Sequence, residues 1–177
     1  MYRINQLLKL KNELYHTSDL SYIWGIKNSN TLYTTIKRYV KRGILIPIHK
    51  GFYAVLPLNQ IDPLKLGLGY IHQFAYVSCE YVLLKLGVIF QKSPNITFVS
   101  GFSKKFSVEN NLYSVRKLKE NYLYNNYEVV DRNGVMIANL ERAVADLLYF
   151  NPHYYFDNRK MVNWDLVKKI QKEVGYE

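Results

Sequence analysis

The sequence has a single cysteine, Cys79, and no apolar run long enough to cross a membrane. One cysteine excludes an intramolecular disulfide, and a membrane-spanning helix requires about 18 or more consecutive apolar residues. The N-terminal segment also lacks the cationic stretch, apolar run and small-residue cleavage site of a secretory signal. We therefore expect a soluble, cytoplasmic protein.

Motifs of common catalytic and cofactor sites are missing as well. The four histidines form no H-x-x-x-H or HExxH pair, and one cysteine does not complete a usual zinc site. No phosphate-binding loop or dinucleotide fingerprint occurs, and Gly67-Leu68-Gly69 is more typical of a helix irregularity. The clustered carboxylates and nearby lysine of a metal-dependent nuclease are absent too. We predict that the protein is not an enzyme and binds neither a cofactor nor a metal.

Two carboxylates and the cysteine are the remaining candidates for chemistry. Glu141 and Asp146 are five positions apart, which places them on different faces of a helix. Their structural roles would be a first-turn acid and a partner for Arg142, respectively. Cys79 follows Ser78 near a helix start, where the pKa of a thiol can be lowered, but we expect a buried structural cysteine.

Acidic residues are few: 14 Asp and Glu stand against 24 Lys and Arg, with a net charge of +10 and a pI near 9.5. The excess is concentrated in residues 1–57, where nine basic residues against two acids give +7. Residues 58–177 hold 15 basic and 12 acidic residues, which leaves +3. This balance is typical of a domain that binds a polyanion, although basic chains are also common in some AT-rich proteomes.

The pattern of residues 1–57 predicts three helices and a β-hairpin. Residues 2–14 place apolar side chains at helical spacing. Thr17 or Ser18 can cap a second helix that ends at Gly25, and residues 28–30 can cap a third that runs to Gly43. Residues 44–56 alternate around a turn at residues 49–51, which indicates a hairpin. This order is that of a winged helix-turn-helix, whose second short helix enters the major groove while the hairpin grips the flanking backbone.

The outward face of the third helix carries side chains suited to DNA. If Leu32, Ile36, Tyr39 and Val40 face the core, polar and cationic residues face outward. The candidate DNA-binding residues, with those of the hairpin turn, are Ser29, Asn30, Tyr33, Thr34, Lys37, Arg38, Lys41, His49 and Lys50. The first four are the predicted base readers, because a recognition helix usually enters the groove N-terminus first, and the helix cations are the predicted phosphate contacts. Lys27 and Asn28 are further candidates for a backbone contact. A solvated helix face whose lysines only maintain solubility is the structural alternative.

The polar segment between Pro57 and Pro63 predicts a boundary between two domains, residues 1–57 and 58–177. Helices of the second domain are predicted at residues 63–71, 78–86, 139–150 and 164–174. Strands are predicted at residues 96–99, 113–118, 122–130 and 134–138, with a hairpin turn at 131–134. The expected fold class is α+β: a winged helix-turn-helix followed by helices and a small antiparallel sheet.

Several segments together resemble one protein family. They are Thr-Ser-Asp-Leu at 17–20, residues 30–43, Ile-His-Lys-Gly-Phe-Tyr-Ala-Val at 48–55, Tyr-Val-Ser-Cys-Glu-Tyr-Val-Leu at 76–83, and Asn-Leu-Glu-Arg-Ala-Val-Ala-Asp-Leu-Leu at 139–148. These segments resemble the AbiEi-type antitoxins, the transcriptional regulators of type IV, abortive-infection toxin-antitoxin systems. The similarity at 76–83 is more specific than the winged helix, which is widespread.

The resemblance implies a repressor that binds repeats in its own promoter through Asn30, Tyr33, Thr34, Lys37 and the wing. It also implies a C-terminal domain with antitoxin activity and a nucleotidyltransferase-type toxin as the functional counterpart, without a stable complex. The expected oligomeric state is a monomer or a DNA-induced dimer.

Two other classes of function fit the same pattern. A winged helix can dock a protein partner without specific DNA binding, and exposed Tyr33 and Tyr53 could stack on unpaired RNA bases. Salt dependence separates the first alternative from DNA binding, because phosphate contacts weaken steeply with salt while apolar contacts do not.

Overall fold

The structure is a computed structural model that describes residues 3–10, 12–91 and 95–176. The described chain is a mixed α+β protein with eight α-helices, one sheet of three strands and one of six. It divides into two compact units, residues 1–70 and 71–177.

The N-terminal unit contains four helices and the three-stranded sheet. Its elements are α1 (Arg3–Leu10), β1 (Leu14–His16), α2 (Thr17–Trp24), α3 (Ser29–Lys41), β2 (Ile46–His49), β3 (Phe52–Ala54) and α4 (Pro63–Ile71). The sheet order is β1-β3-β2, and both strand pairs are antiparallel.

The predicted first helix, residues 2–14, is too long at its C-terminal end. α1 ends at Leu10, and Leu14 lies in β1, where it pairs with Ala54. An extended backbone is favoured here because it buries Tyr15, whose hydroxyl donates to the Leu7 carbonyl at 3.0 Å, and adds a third strand to the hairpin. Tyr2 and Lys11, which the prediction also covered, lie outside the described residues.

The cap of the second helix lies one residue before the nearer of the two predicted caps, Thr17. His16 is the N-cap of α2, and its backbone N–H donates to the Asp19 carboxylate at 2.7 Å. The helix ends at Trp24, and the predicted glycine stop, Gly25, follows as its C-cap with a φ of 64° in the left-handed region.

The three helices enclose one apolar core. Its buried residues come from α1, β1, α2 and α3 and from the loops before α3 and β2: Leu7, Tyr15, Leu20, Trp24, Ile26, Leu32, Ile36 and Leu45. Trp24 of α2 stacks on Tyr39 of α3 with ring centroids 5.3 Å apart. Each fully buried Leu or Ile stabilises the fold by roughly 1.5–3 kcal/mol, so this cluster holds α3 firmly against α1 and α2.

The first compact unit extends through Tyr70, beyond the predicted boundary after Pro57. The reason is that α4 packs on the small sheet. His16 Nε2 lies 2.9 Å from the Gly69 carbonyl oxygen, and the Tyr70 ring meets the His49 ring edge-on at 4.4 Å.

The C-terminal unit is built around the six-stranded sheet. Its elements are β4 (Ala75–Val77), α5 (Cys79–Lys85), β5 (Asn95–Ser100), β6 (Lys104–Val108), β7 (Asn111–Lys117), α6 (Glu120–Leu123), β8 (Val129–Arg132), β9 (Val135–Ala138), α7 (Leu140–Phe150) and α8 (Trp164–Val174). The strand order is β6-β7-β5-β4-β9-β8.

The prediction of a small antiparallel sheet is wrong, because the sheet is mixed and has six strands. β5 pairs with β7 in parallel, and so does β4 with β9, while the other three pairs are antiparallel. The sequence pattern missed β4 and β6: β4 is three residues long and buried throughout, so it shows no alternation.

Residues 122–130 do not form the predicted continuous strand. α6 occupies Glu120–Leu123, and β8 begins only at Val129. Between them the backbone turns because the carbonyls of Asn125 and Tyr127 both accept hydrogen bonds from Arg142 Nη1, each at 2.9 Å. The predicted turn after β8 is confirmed, with positive φ at Asn133 and Gly134 (55° and 83°) as a type I′ turn requires.

Candidate nucleic-acid interface

Local sequence signals position α3, the helix that carries most of the candidate residues. Asn28 caps its N-terminus, since its side-chain oxygen accepts a hydrogen bond from the Thr31 N–H at 3.0 Å. The chain leaves the helix through Gly43, which has a φ of 68°. Between these points Leu32, Thr35 and Ile36 are buried, so the opposite face of the helix is turned to solvent.

All seven candidate residues of α3 are exposed: Ser29, Asn30, Tyr33, Thr34, Lys37, Arg38 and Lys41. Asn30, Thr34, Lys37 and Lys41 follow each other at intervals of four, three and four positions and therefore form one stripe along the helix. At 1.5 Å per residue the stripe is roughly 16 Å long. Its N-terminal half offers amide and hydroxyl groups, and its C-terminal half offers ammonium groups.

The two candidate residues of the hairpin differ in their exposure to solvent. Lys50 is exposed at the turn, next to Gly51 with a φ of 84°. His49 is half-buried: its Nδ1 lies 2.9 Å from the Lys50 carbonyl oxygen, and its ring contacts Phe52 and Tyr70. A ligand on this turn therefore meets Lys50, while a contact through His49 stays a prediction.

The segment that carries this surface, residues 20–61, contains no acidic residue. Residues 20–61 contain six Lys and Arg and no Asp or Glu. Two of the six, Lys27 before α3 and Arg42 directly after it, are exposed beyond the stripe. Arg42 was not among the predicted contacts because it follows the last turn of α3 and lies between the helix and the hairpin. The adjacent Lys41-Arg42 pair was the signal that could have found it.

The C-terminal unit contains the other residues that the sequence singled out, and two of them, Asp146 and Cys79, are buried. Asp146 pairs with Arg142 at 2.8 Å, with both side chains 0% exposed, which confirms the predicted partnership. Glu141 lies in the first turn of α7, also as predicted. Cys79 is buried, and burial raises the pKa of its thiol well above the ordinary value, an effect that the Asp146 charge reinforces. The thiol is thus held in its neutral, unreactive form.

In the described part of the chain, no three His, Cys, Asp or Glu residues are grouped so that they could hold a metal ion. None of the helices in the described ranges is both long and apolar enough to span a membrane.

No protein-family model and no curated protein sequence matches this chain.

Proposed function

We propose that the N-terminal unit is a winged helix-turn-helix that binds duplex DNA and that the protein acts as a transcriptional repressor. The observation that carries this proposal is the exposed stripe of α3, polar at one end and cationic at the other, within a 42-residue segment, residues 20–61, free of acids. The element order α1-β1-α2-α3-β2-β3 supports it, because a recognition helix followed by a hairpin is the winged arrangement.

In this proposal α3 enters the major groove with its N-terminus leading. Asn30 pairs with an adenine edge, and Thr34 contacts a base or a thymine methyl group. Lys37, Arg38 and Lys41 then reach phosphate oxygens on either side of the groove. Lys50 meets the backbone beside the groove from the hairpin turn.

The resemblance to AbiEi-type antitoxins extends the proposal to autoregulation. The protein would bind repeats in its own promoter, as a monomer or a DNA-induced dimer, in the cytoplasm. Its counterpart would be a nucleotidyltransferase-type toxin that it counters without forming a stable complex. It would act without a cofactor and would not be an enzyme.

An electrophoretic shift on the duplex upstream of the gene, compared with a scrambled duplex at two salt concentrations, tests the proposal. We expect a shift of the upstream duplex that survives competitor DNA and weakens at the higher salt concentration. Lys37→Ala should weaken it, whereas Lys168→Ala, an exposed lysine on α8, should not. No shift at low salt would favour a protein-docking role for the winged helix.

A further inference from the structure

A second basic surface lies in the C-terminal unit, at the sheet edge formed by β6 and β7. It surrounds an open cavity of about 770 Å³. Its lining includes Glu80, Lys105, Ser114, Arg116, Lys117 and Phe150. The DNA-binding proposal uses none of these residues.

Strand register brings the polar residues of this cavity together. Lys105 of β6 is the direct partner of Ser114 of β7, so the two side chains share one face of the sheet. Arg116 lies two positions after Ser114 and is therefore on that face as well. Lys104 and Lys117 line the same cavity, and with Glu80 as the single acid its lining carries a net charge of +3.

Arg116 is held in place by two helices. Its guanidinium forms an ion pair with Glu80 of α5, and its Cζ lies 5.3 Å from the centroid of the Phe150 ring at the end of α7. One edge of the guanidinium is used by Glu80, and the arginine side chain remains 30% exposed. A planar donor group fixed in this way loses little conformational entropy when it binds an anion.

Lys105 and Lys117 place two exposed cations beside this arginine. Both are exposed, and neither forms an ion pair with any residue in the described ranges. The Ser103 hydroxyl, also in the lining, accepts a hydrogen bond from the Lys117 N–H at 3.1 Å and so keeps its own proton to donate. Arginine, lysine and serine around one cavity are the donors that bind phosphate groups.

We infer that this cavity binds a phosphate-bearing ligand of mononucleotide size. Cavities that hold small ligands measure about 300–1,000 Å³, and this one lies within that range while far exceeding the needs of a bare phosphate ion. The cations line one concave site rather than a long ridge, which favours a compact ligand over the extended backbone of a duplex.

Isothermal titration calorimetry of the full chain at low salt, with adenosine 5′-monophosphate, inorganic phosphate, adenosine and a DNA duplex, tests the inference. We expect the monophosphate to bind more tightly than inorganic phosphate, and adenosine not to bind. The double variant Lys105→Ala, Lys117→Ala should raise the Kd of the monophosphate by about tenfold or more. The matched control, Lys168→Ala with Lys172→Ala on α8, removes the same charge elsewhere and should leave it unchanged.

Absence of binding by the monophosphate, or equal effects of the two double variants, would overturn the inference. So would binding of the duplex alone, or equal affinity for the monophosphate and inorganic phosphate. Lys37→Ala on α3 should leave the monophosphate titration unchanged, so failure of the DNA-binding proposal and failure of this one are distinguishable.

Discussion

The salt dependence of DNA binding gives the sharpest test of the roles assigned to the α3 side chains. Each phosphate contact adds about −0.9 to the slope of log K against log salt concentration, because binding releases condensed counterions. The proposal assigns phosphate contacts to four cations, Lys37, Arg38 and Lys41 on α3 and Lys50 on the hairpin turn, and all four are exposed. The expected slope is therefore about −3.6.

Replacing Lys37 with alanine should reduce that slope to about −2.7. Over a threefold rise in salt, the wild type should lose roughly 50-fold in affinity and the variant roughly 20-fold. Fluorescence anisotropy of a labelled upstream duplex across a salt series measures both slopes. Lys168→Ala on α8 is the control and should reproduce the wild-type slope.

Asn30→Ala should lower the affinity for the cognate site without changing the salt slope. Loss of a base contact costs about 1–3 kcal/mol on the cognate site and leaves the salt slope unchanged, since no phosphate contact is lost. Its affinity for scrambled duplex should also stay the same. Equal losses from Asn30→Ala and Lys37→Ala on scrambled duplex would refute the division into base readers and phosphate contacts.

Three further predictions concern stability. Asp146→Ala leaves the buried Arg142 guanidinium without its carboxylate and should lower the free energy of unfolding by about 3–5 kcal/mol in urea titrations, while exposed Asp165→Ala should change it by about 1 kcal/mol or less. Gly69→Ala should lower the melting temperature, because the new Cβ would lie 2.6 Å from the Phe52 ring; a rise, which helix propensity alone would produce, would contradict that contact. Because burial raises the pKa of the Cys79 thiol, the thiol ionises at lower pH in the unfolded chain than in the folded chain. The contribution of this thiol to the free energy of unfolding is therefore constant below about pH 8.5 and should fall above it by about 1.4 kcal/mol per pH unit. Cys79→Ala should remove this contribution, and an identical pH profile for the variant would show that the thiol does not contribute.

Several helices were predictable from local signals in the sequence. The bounds of α4 and α8 match the prediction, and α3 follows from its cap at Asn28 and from Gly43, since these signals act within a few residues. Short strands without a neighbouring turn signal were not predictable: β1 and β4 are three residues each and become strands only by pairing with distant segments, whereas the equally short β3 was predicted as part of the hairpin. Long-range packing also decides the orientation of His49, whose ring contacts Tyr70 of α4.

The α3 stripe could be predicted from the sequence, but the cavity of the C-terminal unit could not. The α3 stripe was visible because its residues are neighbours on one helix. The cavity of the C-terminal unit was not, because Lys105 and Arg116 come from separate strands and Glu80 comes from α5. Only the β6–β7 register brings the two cations to one face, and β6 was not predicted.

The C-terminal segments that carry the family resemblance meet in the core of their unit. Ser78 donates to the Asp146 carboxylate at 2.6 Å, and Arg142 Nη2 donates to the Tyr76 hydroxyl at 3.0 Å. All four side chains are at most 1% exposed. Partners in a buried polar network must be present together, because one unpaired member costs several kcal/mol. These segments therefore supply core residues, and we expect the proposed antitoxin activity to depend on exposed residues outside them. Toxin-rescue experiments should accordingly use surface variants of the C-terminal unit, since variants of these four residues would measure folding.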